Sequence, residues 1–140
     1  MKKKYLTSCY QDTVAVGEEL SQLLKGGEII ALYGELGAGK THLVKGIGKG
    51  LKIEREITSP TFIIAQIYTS GRLRLIHMDL YRINDFSDME EIGWYDFLNN
   101  NTVVVVEWAE KIEEELKNHN TIKVFIKVID DHKREIEIDF

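Results

Sequence analysis

The sequence predicts one α/β domain built on a mixed sheet, and three observations carry that reading. Two short apolar runs, Glu28 to Tyr33 (EIIALY) and Thr102 to Val106 (TVVVV), have the length and content of buried strands in a parallel sheet. Segments of helical periodicity stand between the strand-like runs, an alternation that calls for helices packed on a sheet. From Ile122 onward, apolar and charged residues alternate on either side of a polar centre, the pattern of an antiparallel hairpin.

Ser8 or Asp12 can cap a first helix running to about Leu24, with Val14, Leu20, Leu23 and Leu24 as its apolar stripe. Gly26-Gly27 stops it before the strand at 28–33. A glycine-rich turn begins at Gly34, and a second helix is expected from about Gly39 to Lys49, its end weakened by Gly46, Gly48 and Gly50. Arg72 to Met78 (RLRLIHM) predicts a strand ending at Asp79. Asp88 to Leu98 predicts a helix with Met89, Ile92 and Tyr95 or Leu98 on one face. Ile122 to Ile129 and Glu135 to Phe140 pair around Asp130 to Lys133, and the hairpin is expected at one edge of the sheet.

The chain has 140 residues, a length that suits a single domain over 1–140, and no linker, repeat or low-complexity stretch divides it. With 44% hydrophobic and 29% charged residues, the composition is globular and excludes disorder. No apolar run reaches membrane-spanning length, and Met1 to Tyr5 is basic without an apolar segment behind it, so neither a span nor a secretory signal is expected. The single Cys9 forms no internal disulfide, which fits a reducing cytoplasm. A net charge of −5 argues against unaided nucleic-acid binding.

Gly34-Glu35-Leu36-Gly37-Ala38-Gly39-Lys40-Thr41 matches G-x-x-x-x-G-K-[ST], after a predicted strand and at the opening of a predicted helix. The glycines let the backbone wrap a polyphosphate, and its N–H groups and the helix dipole form an anion nest. Lys40 can reach β- and γ-phosphate oxygens, and the Thr41 hydroxyl can ligate Mg²⁺. Such a loop needs a carboxylate at the end of a neighbouring strand. Asp79 and Glu107 both qualify, and spacing does not choose between them. Thr58-Ser59-Pro60-Thr61-Phe62 contains the only Pro and reads equally as a phosphate-sensing switch or as a turn that starts a strand.

Taken together, GELGAGKT, ITSPTF, HMDLYRI and VVVVEWAEKI, in that order and across essentially the whole chain, resemble the TsaE (YjeE) family. These are P-loop ATPases required for threonylcarbamoyladenosine modification of tRNA. The resemblance implies a P-loop NTPase-like, mixed, largely parallel sheet flanked by helices. It implies that Glu35, Leu36, Gly37, Ala38, Gly39, Lys40 and Thr41 cradle ATP, with Lys40 on the phosphates and Thr41 on Mg²⁺. Thr61 becomes a switch residue near the γ-phosphate. Asp79, Glu107 and Thr61 join Lys40 as catalytic residues, with Glu107 as the acidic metal ligand beside Thr41. Tyr81 and Arg82 complete the DLYR motif, and Trp108 lies beside the site. His42 stands where many relatives have a second Thr, leaving Thr41 intact.

The implied partner is a TsaB–TsaD heterodimer, in which TsaD transfers a threonylcarbamoyl group to tRNA, so tRNA is met only through partners. ATP hydrolysis would reset that complex. Two other readings compete. A small-molecule or nucleoside kinase shares the loop but usually closes an arginine-bearing lid, and the five arginines here form no such cluster. A nucleotide sensor without turnover is the other.

Overall fold

A computed structural model of the chain describes residues 1–35, 37–58 and 65–140. In chain order its elements are β1 (Lys2–Thr7), α1 (Tyr10–Ser21), β2 (Ile29–Tyr33), α2 (Lys40–Gly50), β3 (Ala65–Tyr68), β4 (Arg74–Asp79), α3 (Phe86–Glu91), α4 (Trp94–Phe97) and β5 (Thr102–Glu107). A 3₁₀ turn (Ala109–Ile112) leads into α5 (Glu113–Leu116), followed by β6 (Thr121–Val128) and β7 (Arg134–Asp139).

The described strands form one sheet in the order β1-β7-β6-β2-β5-β4-β3. Its centre, β6-β2-β5-β4, is parallel, and antiparallel strands complete both margins. Alternation along the central strands divides the core into two layers. Ile30, Leu32, Val103 and Val105 pack with Leu20, Leu43, Val44 and Ile47 beneath α1 and α2. Ile29, Ala31, Val104 and Val106 pack with Met89, Trp94, Ile112 and Leu116 on the opposite face. All six residues of β5 are buried, which is why TVVVV lacks the polar alternation of a half-exposed strand. In the parallel register Glu107 stands opposite Leu32 on one side and Asp79 on the other. The loop after β2 and both candidate carboxylates therefore share one sheet edge, where ligands bind in open α/β folds.

Several expectations change. The hairpin is not the edge, because β1 pairs antiparallel with β7, setting Lys2 opposite Asp139 and Lys4 opposite Glu137. An exposed row of lysines is a usual guard for an edge strand, and it hides the apolar pattern by which strands are read. β3 is likewise a strand the pattern did not single out. The single helix expected over 88–98 is two short ones, broken where Gly93 adopts φ +90°. Asp85 caps the first by accepting from the Ser87 amide at 2.8 Å. In α1 the N-cap is Cys9 rather than Ser8 or Asp12, and Leu23 is about half exposed instead of joining the stripe.

The glycines of α2 do more than weaken it. A Cβ at Gly46 would lie 2.0 Å from the Val14 carbonyl oxygen, and one at Gly17 would lie 2.3 Å from that of Leu43. Small residues at this crossing let α1 lie directly on α2, which fixes the helix that the glycine-rich loop enters.

Candidate functional site

The loop leaves β2 after Tyr33 and enters α2 at Lys40, turning on Gly37 (φ +82°) and Gly39 (φ +102°), left-handed values that strain residues bearing a Cβ. Ala38 is fully buried, and its amide donates to the Glu35 carbonyl at 3.0 Å. Arg134, from the start of β7, braces the loop from outside. Its Nε donates to the Ala38 carbonyl at 3.1 Å and its Nη2 to that of Gly37 at 3.4 Å. Nη1 holds its own hairpin through the carbonyls of Asp130 (2.7 Å) and Lys133 (3.0 Å). In a planar trans peptide the C=O and the following N–H point to opposite sides. Holding the Ala38 carbonyl toward Arg134 thus turns the Gly39 N–H the other way.

On the far side of the loop lies a buried polar group. Lys40 is 8% exposed, and its Nζ donates to the Gly34 carbonyl at 2.8 Å. Nζ stands 3.9 Å from Glu107 Oε1 and 5.1 Å from the centre of the Trp108 ring, a cation–π approach. Glu107, the last residue of β5, is 5% exposed, and its Oε2 lies 2.6 Å from Nε2 of the fully buried His77. Among the described residues His77 Nδ1 has no hydrogen-bond partner, an omission worth about 1–3 kcal/mol for a buried polar atom. Trp108 then turns the chain away with φ +61°, backbone strain of order 1–3 kcal/mol for a residue with a side chain. Its ring also meets that of Tyr81 at 5.0 Å.

The structure thus brings Lys40 and Glu107 together. Asp79 stands beside Glu107 in register, yet its Oδ1 accepts from the Tyr81 amide at 3.0 Å and so holds the turn that follows β4. Thr41 is half-buried in the first turn of α2, and Glu35 is exposed. Tyr81 and Arg82 are exposed. Leu36 and Thr61 lie outside the described residues, as does the expected switch segment apart from Thr58, whose amide donates to the Tyr68 hydroxyl at 3.3 Å. No group of three or more His, Cys, Asp or Glu side chains placed to hold a metal ion occurs among the described residues. No helix among them is long and apolar enough to cross a membrane.

Beside the loop opens a cavity of about 380 Å³, lined by Tyr10, Thr13, Gly39, His42, His132 and Arg134 among others. The Tyr10 and His42 rings stack with centroids 4.9 Å apart. Burial, and then the charge of Lys45, hold the His42 imidazole below its ordinary 6.5, so it is neutral at pH 7. Sequence reasoning gave no role to His77, Arg134 or Tyr10. For His77 a signal existed, a polar residue inside the apolar strand RLIHM. For the other two there was none, since the loop meets them only in the folded chain.

Residues 7–136 match the family described as "Threonylcarbamoyl adenosine biosynthesis protein TsaE". A Treponema pallidum relative named "tRNA threonylcarbamoyladenosine biosynthesis protein TsaE" is 41% identical over 128 residues, covering 91% of this chain and 93% of its own. A Bacillus subtilis relative of the same name is 40% identical over 133 residues, covering 95% and 82%. The crystal structure of Bacillus subtilis YdiB superposes with a TM-score of 0.80 at 34% identity, covering 99% of this chain and 84% of that one. The fold, the motif order and these likenesses agree: the chain belongs to the TsaE family.

Proposed function

We propose that the chain binds ATP with Mg²⁺ at the glycine-rich loop and hydrolyses it slowly, as an accessory to threonylcarbamoyladenosine modification of tRNA carried out with a TsaB–TsaD complex in the cytoplasm. The observation that carries this reading is the approach of Lys40 to Glu107, 3.9 Å apart at the mouth of a loop whose glycines free its amides. The names of the relatives support the pathway.

The donor set fits the two groups. Lys40 holds only a neutral carbonyl through its Nζ, a contact it can exchange for phosphate oxygens. Among the described residues Glu107 Oε1 accepts no hydrogen bond, and Thr41 stands in the first turn of α2, next to Lys40 in the chain. Mg²⁺ prefers hard oxygens, takes one or two carboxylates and completes its shell with water and phosphate, so one protein acid and one hydroxyl suffice. When bound, the metal neutralises charge on the β- and γ-phosphate oxygens. The cavity at Tyr10 and His42 suits the nucleoside end, offering a stacked, uncharged aromatic wall. Thr61 is assigned to sensing the γ-phosphate by resemblance alone.

Slow intrinsic turnover follows from where the arginines are engaged. Arg72 donates to the carbonyls of Leu24 and Ser21, Arg74 to the Thr102 hydroxyl and Arg134 to the loop, while Arg55 lies over the Tyr68 ring. Arg82 alone is left, exposed, one arginine rather than the cluster that a kinase lid brings over the phosphates. Replacing Lys40 by Ala tests the reading. Losing a charge-assisted contact to phosphate is worth on the order of 2–4 kcal/mol, so ATP affinity should fall by about 30-fold or more with the melting temperature intact. Unchanged binding in calorimetry would remove the assignment.

A further inference from the structure

His77 has no role in the reading above, yet it is fully buried, sits mid-strand in β4 and, among the described residues, makes its only side-chain hydrogen bond to Glu107. We infer that His77 is a positioning residue for Glu107, one that keeps this carboxylate apart from Lys40 so that both stay available. The inference rests on the proposed ATP–Mg²⁺ reading.

An ionised carboxylate only accepts hydrogen bonds, so the 2.6 Å contact requires the proton on His77 Nε2. That bond takes Oε2 and fixes the side chain. Oε1 is left 3.9 Å from Lys40 Nζ, beyond hydrogen-bond length. Both partners are more than nine-tenths buried. In such surroundings an untethered glutamate and a lysine would close into a direct ion pair, because their attraction is weakly screened. Closing it would consume Lys40's charge and the free oxygen together. The imidazole is rigid and reaches from the neighbouring strand, where His77 is paired with Val105, two residues before Glu107. Its other nitrogen, Nδ1, has no partner among the described residues, so the ring is held there by the Glu107 bond and by packing alone. Partners that orient a metal ligand typically matter 10–100-fold in metal affinity.

The test is the Mg²⁺ requirement for binding a non-hydrolysable ATP analogue, followed by calorimetry, with melting temperature measured alongside. His77→Asn keeps a polar group but cannot reach Glu107. His77→Gln carries its amide nitrogen nearly as far as Nε2. The expected result is an apparent Mg²⁺ dissociation constant raised about tenfold or more in His77→Asn and largely restored in His77→Gln. Should the Asn variant not fold, His77→Phe refills the volume and carries the same expectation. An unchanged Mg²⁺ requirement in a folded Asn or Phe variant overturns the inference, as does equal impairment of Asn and Gln. Lys40→Ala separates the two levels. If it loses nucleotide while the His77 variants are normal, only the positioning role falls; if it binds like wild type, the underlying reading falls.

Discussion

On one side of the glycine-rich loop, buried Glu107 lies within hydrogen-bond reach of His77 and ion-pair reach of Lys40, both also buried. On the other, the exposed ring of Tyr10 stacks on His42 beside an open cavity, and Arg134 grips the loop backbone from β7. The first side is made of polar groups drawn from the start of α2, the middle of β4 and the end of β5 and shielded from water, where each interaction is strong and each geometry fixed. The second is made of surfaces and backbone carbonyls from three separate segments, where contacts are individually weak. Under the proposed function the contrast becomes a division of labour, with chemistry assigned to the buried side and nucleotide affinity shared with the open one.

The largest expected break in that comparison is Glu107→Ala. Without the carboxylate, Mg²⁺-dependent turnover should fall on the order of 10²-fold, while nucleotide binding falls far less because the loop amides remain. Asp79→Ala should cost less, since its carboxylate already serves the Tyr81 amide. Steady-state ATPase rates beside calorimetric affinities read both effects. Equal turnover in Glu107→Ala and wild type would show that the buried side is not the chemical one.

A middle-sized effect sharpens the role of the loop. Arg134→Ala should weaken nucleotide binding about tenfold with little change in the Mg²⁺ requirement, because it loses charge-assisted bonds to loop carbonyls but touches no metal-side group. Arg134→Lys should not restore affinity, since an ammonium cannot span both carbonyls as the guanidinium fork does. Fluorescence titration of the two variants decides it.

The smallest effect separates nucleoside from phosphate. An aromatic stack is worth about 0.5–1.5 kcal/mol, so Tyr10→Ala should weaken ATP binding by about 2- to 12-fold and leave inorganic triphosphate unaffected. Competition between the two ligands measures the difference. Equal losses for both would place the nucleoside elsewhere.

The two sides also differ in how far the sequence reveals them. The approach of Lys40 to Glu107 was legible because the G-x-x-x-x-G-K-[ST] spacing fixes where the lysine stands, and because a carboxylate after TVVVV must emerge at the sheet edge. Tyr10 and Arg134 were not, since they converge with the loop from positions 10 and 134 through β1, α1 and β7. β1 itself was obscured by its three lysines, although its complement was visible in the acids of β7, where Lys2 and Lys4 face Asp139 and Glu137. The helix expected over 88–98 failed for a local reason, as Gly93 takes a left-handed turn that lets Trp94 enter the core. Apolar spacing alone does not register such a break.

The central claim is that this site is an ATPase completed by other proteins, and it is tested most directly by ATP turnover of the chain alone and with a TsaB–TsaD heterodimer. With Arg55, Arg72, Arg74 and Arg134 engaged in intramolecular contacts and Arg82 left as the one remaining, exposed arginine, the isolated chain should hydrolyse ATP slowly. Positive charge supplied at a phosphoryl-transfer transition state is worth about 10³–10⁵ in rate, so the complex should stimulate turnover clearly, releasing ADP and inorganic phosphate. Identical rates with and without the heterodimer, or transfer of the phosphoryl group to a small-molecule acceptor in place of water, would contradict the account.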